Sequence, residues 1–118
     1  MSKISEDVFN SIRRIFPLSK VKREHYVKYR GVRLFFDFFI LDLKVLVEVQ
    51  GSQHTQFTSH FHLDKENFSS QRKRDNLKIE YIENSPELSL VRFNYDEKIT
   101  DKLVINKIHK AIKRGFYE

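Results

Sequence analysis

The chain of 118 residues has the length of one domain, and we expect a single core formed by residues 1–118. It has no cysteine and no apolar run near the ~18 residues of a membrane span, which excludes disulfide frameworks, thiolate zinc sites, cysteine nucleophiles and membrane spans and favours an intracellular protein. The 22 basic and 16 acidic residues give a formal net charge of +6, which favours a polyanionic partner such as nucleic acid.

The first half of the chain predicts one helix followed by three strands. Apolar residues recur at helical spacing from Ser5 to Phe16. The basic stretch 18–30 predicts a short strand at its end, before a turn at Gly31. The apolar runs 34–41 and 45–49 predict two adjacent antiparallel strands in the centre of a sheet.

The second half predicts a loop, two helices and one further strand. Polar, histidine-rich residues suggest a loop up to Lys65, followed by a helix over 66–82. The run 88–93 predicts a strand, and the apolar spacing over 101–114 predicts the last helix. The order αβββαβα indicates an α+β fold in which helices pack on a central mixed sheet.

Two acids interrupt the apolar strands. Asp37 lies among four phenylalanines in the run LFFDFFIL, and Glu48 lies in VLVEV. Burial of an ionised carboxylate without a compensating charge is costly, so both side chains need a partner. Alternation along the strand places Glu48 on the same face as Leu46 and Gln50. We therefore expect the two acids to meet at one edge of the sheet, where a divalent cation with oxygen ligands would compensate both charges.

The alternative is that each acid pairs with a basic side chain and serves only to fix the strand register. Arg33 and Arg74 are the candidate partners in that case. The nearby residues Gln50, Gly51 and His54, at the exit from a strand into a loop, favour a functional site over this alternative.

The acids and their neighbours resemble a known signature. Asp37 followed by Glu48, Val49 and Gln50 resembles the D…ExK motif of the PD-(D/E)XK nuclease superfamily, with glutamine in the place of lysine. The resemblance extends from about Glu6 to the strand near position 93 and implies a three-layer restriction-endonuclease-like core. The branch of very-short-patch-repair and EDxHD homing endonucleases is matched by Glu6, His54, Arg74 and Asp75.

This resemblance implies a magnesium-dependent DNA endonuclease of phage, mobile-element or repair type, with manganese as an alternative ion. It implies a cytoplasmic location in a bacterial or phage-infected host cell. The implied metal ligands are Asp37, Glu48 and the backbone carbonyl of Val49. The implied catalytic residues are Glu6, Asp37, Glu48, Gln50, His54 and Asp75. Among them, His54 would act as general base, and Asp75 would orient His54 or a metal-bound water.

Basic residues flank the implied site on both sides, and we expect them to contact the DNA backbone. They are Lys20, Lys22, Arg23, Arg72, Lys73 and Arg74. No helix-turn-helix or zinc-finger signature is visible, so we expect target selection to come from a separate targeting protein or domain, and we allow for a homodimer.

A second interpretation is a catalytically inactive nuclease-fold protein that binds nucleic acid or regulates. Gln50 is the feature that favours it, because an amide can hold a water but carries no positive charge. For Glu6, an acid in a first helical turn also stabilises the helix dipole without any chemistry.

Overall fold

The protein was analysed as a computed structural model, which describes residues 2–50 and 61–117 and the side chains of residues 2–50 and 72–116. This part of the chain forms three helices and five strands, so the predicted α+β class is confirmed. The elements are α1 (Lys3–Ile15), β1 (Val21–Tyr29), β2 (Val32–Ile40), β3 (Val45–Gln50), α2 (Phe61–Glu83), β4 (Ser89–Asn94), α3 (Asp101–Arg114) and β5 (Phe116–Tyr117). No helix within these residues is both long enough and apolar enough to cross a membrane.

The strands form one mixed sheet in the order β1-β2-β3-β4-β5. β1, β2 and β3 pair antiparallel, and β4 and β5 continue the sheet in parallel pairings. Phe38 pairs with Val47 across β2 and β3, and Glu48 pairs with Arg92 across β3 and β4. The parallel step from β3 to β4 needs a crossover connection, and α2 lies in that connection.

Helices pack on both faces of the sheet. α1 and α3 cover one face, where the buried apolar residues are Val8, Ile12, Phe38, Ile40, Val45, Val47, Val91, Phe93, Val104, Ile108 and Ala111. α2 covers the other face, where the buried apolar residues are Leu34, Phe36, Leu46, Ile82 and Leu90. The sheet is therefore the middle of three layers, and most of its stability comes from these two clusters.

Local signals set the ends of α1 and α3. The Ser2 side chain accepts the N–H of Ser5 at 3.2 Å, and the Thr100 side chain accepts the N–H of Leu103 at 3.1 Å. Both hydroxyls satisfy backbone donors that have no partner within the helix. Gly115 ends α3 with a φ of 84°, a conformation that glycine adopts without steric cost.

Two predicted elements differ from the structure, and one short strand was not predicted. β1 begins at Val21 and has nine residues, so it is longer than the short strand predicted at the end of this stretch. It is an edge strand whose basic side chains point to solvent, and these obscure the strand pattern in the sequence. The loop prediction is wrong for residues 61–65, which belong to α2. That stretch has no glycine or proline to stop a helix. β5 was not predicted, since two residues give no periodicity.

The alternation of side chains along β2 is interrupted at Asp37. Phe36 packs in the cluster under α2, whereas Phe38 packs in the cluster under α1 and α3. Strict alternation would place both rings on one face, so the strand is irregular between them. The β1–β2 register skips the position of Glu24 and Asp37, and Glu24 has a φ of 57°. Asp37 therefore lies where the strand is distorted and where the recorded pairing of β2 with β3 ends.

Candidate functional site

The Asp37 carboxylate is bound by the backbone of the neighbouring strand. Its Oδ2 accepts the N–H of Val49 at 2.7 Å. A carboxylate oxygen therefore takes the position that a β2 carbonyl would have if the ladder continued. In an extended strand the N–H and C=O of one residue point to the same side, so the Val49 carbonyl also faces β2. The backbone thus brings together two of the three predicted metal ligands.

The environment of Asp37 disfavours its ionised form. Burial is the main cause that raises the pKa of Asp37, and the nearby charge of Glu48 raises it further. The Val49 hydrogen bond and the charge of Lys78 lower the pKa, but they do not offset the burial. Such a carboxylate gains by binding a proton or a cation, and perturbed carboxyl groups of this kind concentrate at functional sites.

Glu48 is buried on the α2 face of β3 and is held by two cations. Lys78 Nζ donates to its Oε1, and Arg92 Nε donates to its Oε2 at 2.7 Å. Lys78 comes from α2, and Arg92 is the direct partner of Glu48 in the β3–β4 register. Only 8% of Glu48 is exposed, so the low dielectric strengthens both ion pairs.

The two basic residues expected to compensate the acids do not do so. Arg33 instead stacks on Tyr26, with its guanidinium carbon 4.2 Å from the ring centroid. Arg74 is exposed on α2. Glu48 therefore does pair with basic side chains, but these are Lys78 and Arg92 and not the expected ones. For Asp37, the described residues supply a backbone donor and no ion pair.

Asp75 joins the same network from α2. Its Oδ1 lies 3.5 Å from Arg92 Nη2, and Lys78 follows it by three residues, nearly one helical turn. Lys78 also lies over the Phe36 ring, with Nζ 5.2 Å from the centroid. α2 therefore presents one acid and one base to the sheet, and Arg92 links that acid to Glu48.

The remaining predicted residues are placed differently. Glu6 lies on α1, on the opposite face of the sheet from Glu48, and forms an ion pair with Arg23 at 3.4 Å. No hydrogen bond or ion pair within the described residues joins Glu6 to Asp37. Gln50 is half-buried and follows Glu48 on the same face by strand alternation. His54 lies outside the described residues.

Lys78 and Arg92, the two cations that hold Glu48, were not predicted. Lys78 follows the exposed basic residues Arg72 and Lys73 on α2, but it is itself buried, with 7% exposed. Its spacing from Ile82, one turn along the apolar stripe of α2, was an available signal. Arg92 stands two residues after the buried Leu90, so strand alternation could have placed its side chain on a core face.

The donor set can be compared with the needs of magnesium. Within the described residues, no group of three or more histidine and acidic side chains could hold a metal ion. Mg²⁺ needs only one or two carboxylates, because waters and phosphate oxygens complete its shell. Asp37 and the Val49 carbonyl fit that requirement. Each oxygen of Glu48 accepts one bond and keeps a second lone pair, but the positive charges of Lys78 and Arg92 oppose a metal ion there.

The predicted DNA-contact residues all lie on the surface. Those before and at the start of β1 are exposed, as are those on α2. They are Lys20, Lys22, Arg23, Arg72, Lys73 and Arg74. Their exposure leaves them accessible to a phosphate backbone on either side of the sheet.

Comparisons with known proteins give one viral relative. The chain is 38% identical over 66 residues to the uncharacterized protein 307L of invertebrate iridescent virus 6. The match covers 56% of this chain and 33% of that protein, so the chain spans about a third of the length of the curated relative. No family model matches the chain, and no solved structure matches it.

Proposed function

We propose that this protein is a magnesium-dependent DNA endonuclease of the PD-(D/E)XK type, acting in phage, mobile-element or repair-type DNA processing. The observation that carries the proposal is the position of Asp37. Its carboxylate is partly buried, is fixed by the Val49 amide, and feels the charges of both Glu48 and Lys78. A structural acid would be expected to have a cation as its direct partner.

The topology supports the same proposal. The resemblance implies a restriction-endonuclease-like core with an αβββαβ element order. β1 to β4 follow that order, with two antiparallel steps and one parallel step, and helices lie on both faces. The two acids stand on adjacent strands of this sheet, as the motif requires.

Lys78 supplies the positive charge that Gln50 lacks. It approaches Glu48 from α2, on the face to which Gln50 also belongs. A lysine beside the acids can stabilise negative charge that develops on a phosphate, and a magnesium ion bound there would polarise the phosphate and acidify a water. Gln50 is placed to orient a water by hydrogen bonding. The general base remains His54 in this proposal.

Cleavage of DNA is the direct test. Wild-type protein is incubated with supercoiled plasmid and with heterogeneous genomic DNA, in Mg²⁺ or Mn²⁺ and with an EDTA control. We expect nicked or shortened DNA with metal, none with EDTA, and none with Asp37→Asn. Asp96→Asn, an exposed acid after β4, is the matched control and should cleave normally. If Asp37→Asn still cleaves DNA in the presence of metal, the proposal is rejected.

One observation favours a second candidate, a nuclease-fold protein that binds DNA without cleaving it. Both oxygens of Glu48 already accept hydrogen bonds from cations, and these positive charges oppose a metal ion on that side of the site. The two candidates differ in a single comparison. A binder retains salt-dependent DNA affinity in EDTA and leaves both DNA substrates intact in Mn²⁺.

A further inference from the structure

The β1–β2 hairpin extends an aromatic surface beyond the helices. Tyr26 and Phe35 face each other across the two strands, with ring centroids 5.1 Å apart. Tyr26 is 47% exposed, and Phe35 is half-buried. Neither residue belongs to the two core clusters found in the described part of the chain. Contiguous exposed apolar surface is a feature of interaction sites.

Two cations border these rings. The Arg33 guanidinium lies over the Tyr26 ring, 4.2 Å from its centroid, and Lys28 is opposite Arg33 in the strand register. A depression of about 490 Å³ opens among these residues and the turn glycine, Gly31. Its volume falls within the range of ligand sites, roughly 300–1,000 Å³.

The charges at this surface lack acidic partners. No carboxylate within the described residues forms an ion pair with Lys28 or Arg33. Arg30, at the adjacent turn, is different, because it pairs with Glu80 at 2.6 Å on the α2 side. The surface therefore combines aromatic rings with two positive charges that pair with no acid in the described part of the chain.

We infer that Tyr26, Lys28, Arg33 and Phe35, here called the hairpin platform, bind single-stranded DNA. Bases in a duplex are covered by their neighbours, whereas unpaired bases expose a face that can stack on an aromatic ring or a guanidinium plane. Lys28 and Arg33 are placed to contact the phosphates between stacked bases. This combination of aromatic rings and cations is the one by which proteins hold single strands without sequence preference.

The platform faces away from α2, because Val27 and Leu34, which alternate with its residues along β1 and β2, pack in the cluster under α2. Along β2, the four residue steps from Arg33 to Asp37 span about 13 Å at about 3.3 Å per step, or roughly four stacked nucleotides at 3.4 Å each. The inference rests on the proposed function in its premise of DNA contact, and it specifies a DNA substrate that carries an unpaired segment.

The test is a binding measurement in EDTA, which prevents cleavage. Anisotropy of a labelled twelve-nucleotide oligo-dT is compared with that of a labelled hairpin duplex. Tyr26→Ala and Tyr26→Leu should each raise the oligo-dT Kd by about tenfold, because one stacked base contributes about 1–3 kcal/mol. Tyr26→Phe keeps the ring and should stay within about twofold. The duplex Kd should change by less than about twofold in all three.

Charge variants provide a matched comparison. Lys28→Gln and Arg33→Gln should each weaken oligo-dT binding and reduce the salt slope by about 0.7, the value for one phosphate contact on a single strand. Lys102→Gln removes the same charge from α3 and should leave the salt slope unchanged.

Two results would overturn the inference: equal oligo-dT binding by Tyr26→Leu and Tyr26→Phe, or no oligo-dT binding by the wild type. Both are distinguishable from failure of the nuclease proposal. If Tyr26→Ala loses oligo-dT binding while the wild type cleaves no DNA, the platform stands and the nuclease does not. If Tyr26→Ala binds oligo-dT normally while the wild type cleaves DNA, the nuclease proposal stands and the platform does not.

Discussion

Asp37 Oδ2 accepts the Val49 backbone N–H at 2.7 Å, at the point where the recorded pairing of β2 with β3 ends. A side chain thereby replaces a strand carbonyl, and the acid is fixed by main chain instead of by a cation. Glu48, on the neighbouring strand, is instead held by two cationic side chains, Lys78 and Arg92. The two acids of the proposed motif therefore differ in how their charge is compensated, and the predictions below follow from that difference.

Asp37→Asn should stabilise the protein at neutral pH. Burial raises the pKa of Asp37, so the folded state favours the protonated form. The associated stability is fully present below the ordinary pKa of an aspartate and is lost as the pH rises through the raised value. The variant should gain about 0.5–2 kcal/mol at pH 7, as expected where a functional group strains the fold. In thermal melts from pH 4 to pH 8, the gain should grow with pH.

Asp101→Asn should show the opposite trend and serves as the control. The hydrogen bond from Arg14, and then that from Ser11, lower the pKa of Asp101, so its charged form favours the fold. The stability it gives is present above the ordinary aspartate pKa and is lost as the pH falls through the lowered value. A gain for Asp37→Asn that does not vary with pH would contradict the role of burial.

Lys78→Met should lower the free energy of unfolding by about 1.5–3 kcal/mol, the value of a hydrogen bond to a charged group. The reason is that Glu48 stays buried with Arg92 as its remaining cation. Glu48→Gln combined with Lys78→Met should recover part of that loss, because the buried charge is removed with its partner. Urea denaturation of the wild type, the two single variants and the double variant measures the coupling energy between the two residues. If the losses of unfolding free energy in the two single variants simply add in the double variant, a direct ion pair is contradicted.

Much of the fold could be predicted from local patterns. α1 and α3 follow from apolar spacing and β2 and β3 from short apolar runs, and alternation correctly placed Val45 and Val47 on the face opposite Leu46. The partners of Glu48 could not be predicted, because Lys78 and Arg92 lie 30 and 44 residues away in sequence. Only the register of β3 with β4 and the docking of α2 bring them together.

The interrupted alternation of β2 at Asp37 could not be predicted from the sequence either. The run LFFDFFIL has aromatic residues at both parities, so the sequence pattern is the same whether or not the strand is regular. The positive φ of Glu24 on the partner strand accompanies the distortion, and a glutamate gives no signal for that conformation.

Gln50→Lys should restore cleavage that Lys78→Met removes. Gln50 and Lys78 reach the same face of β3, so a lysine at position 50 can supply the missing charge beside Glu48. We expect Lys78→Met to lower the single-turnover rate by about 100-fold or more and the double variant to regain at least about tenfold. Gln50→Met, which adds no charge, is the matched control. Full activity of Lys78→Met would remove this lysine from the chemistry.

Arg92→Lys should be costly although it preserves the charge. Arg92 contacts Glu48 through Nε and approaches Asp75 through Nη2, and an ammonium cannot reproduce that fork. We expect a loss of about 2 kcal/mol or more in urea denaturation. Arg14→Lys, in the exposed pair with Asp101, is the control and should have a much smaller effect. Equal losses for the two variants would contradict the importance of the buried network.

The central claim is that Asp37 binds a divalent ion, and anomalous diffraction from crystals soaked in Mn²⁺ tests it most directly. The account predicts a manganese peak at the Asp37 carboxylate and the Val49 carbonyl, which disappears in Asp37→Asn. No peak at Asp37 in crystals saturated with manganese, with Glu48 still held by Lys78 and Arg92, would contradict it.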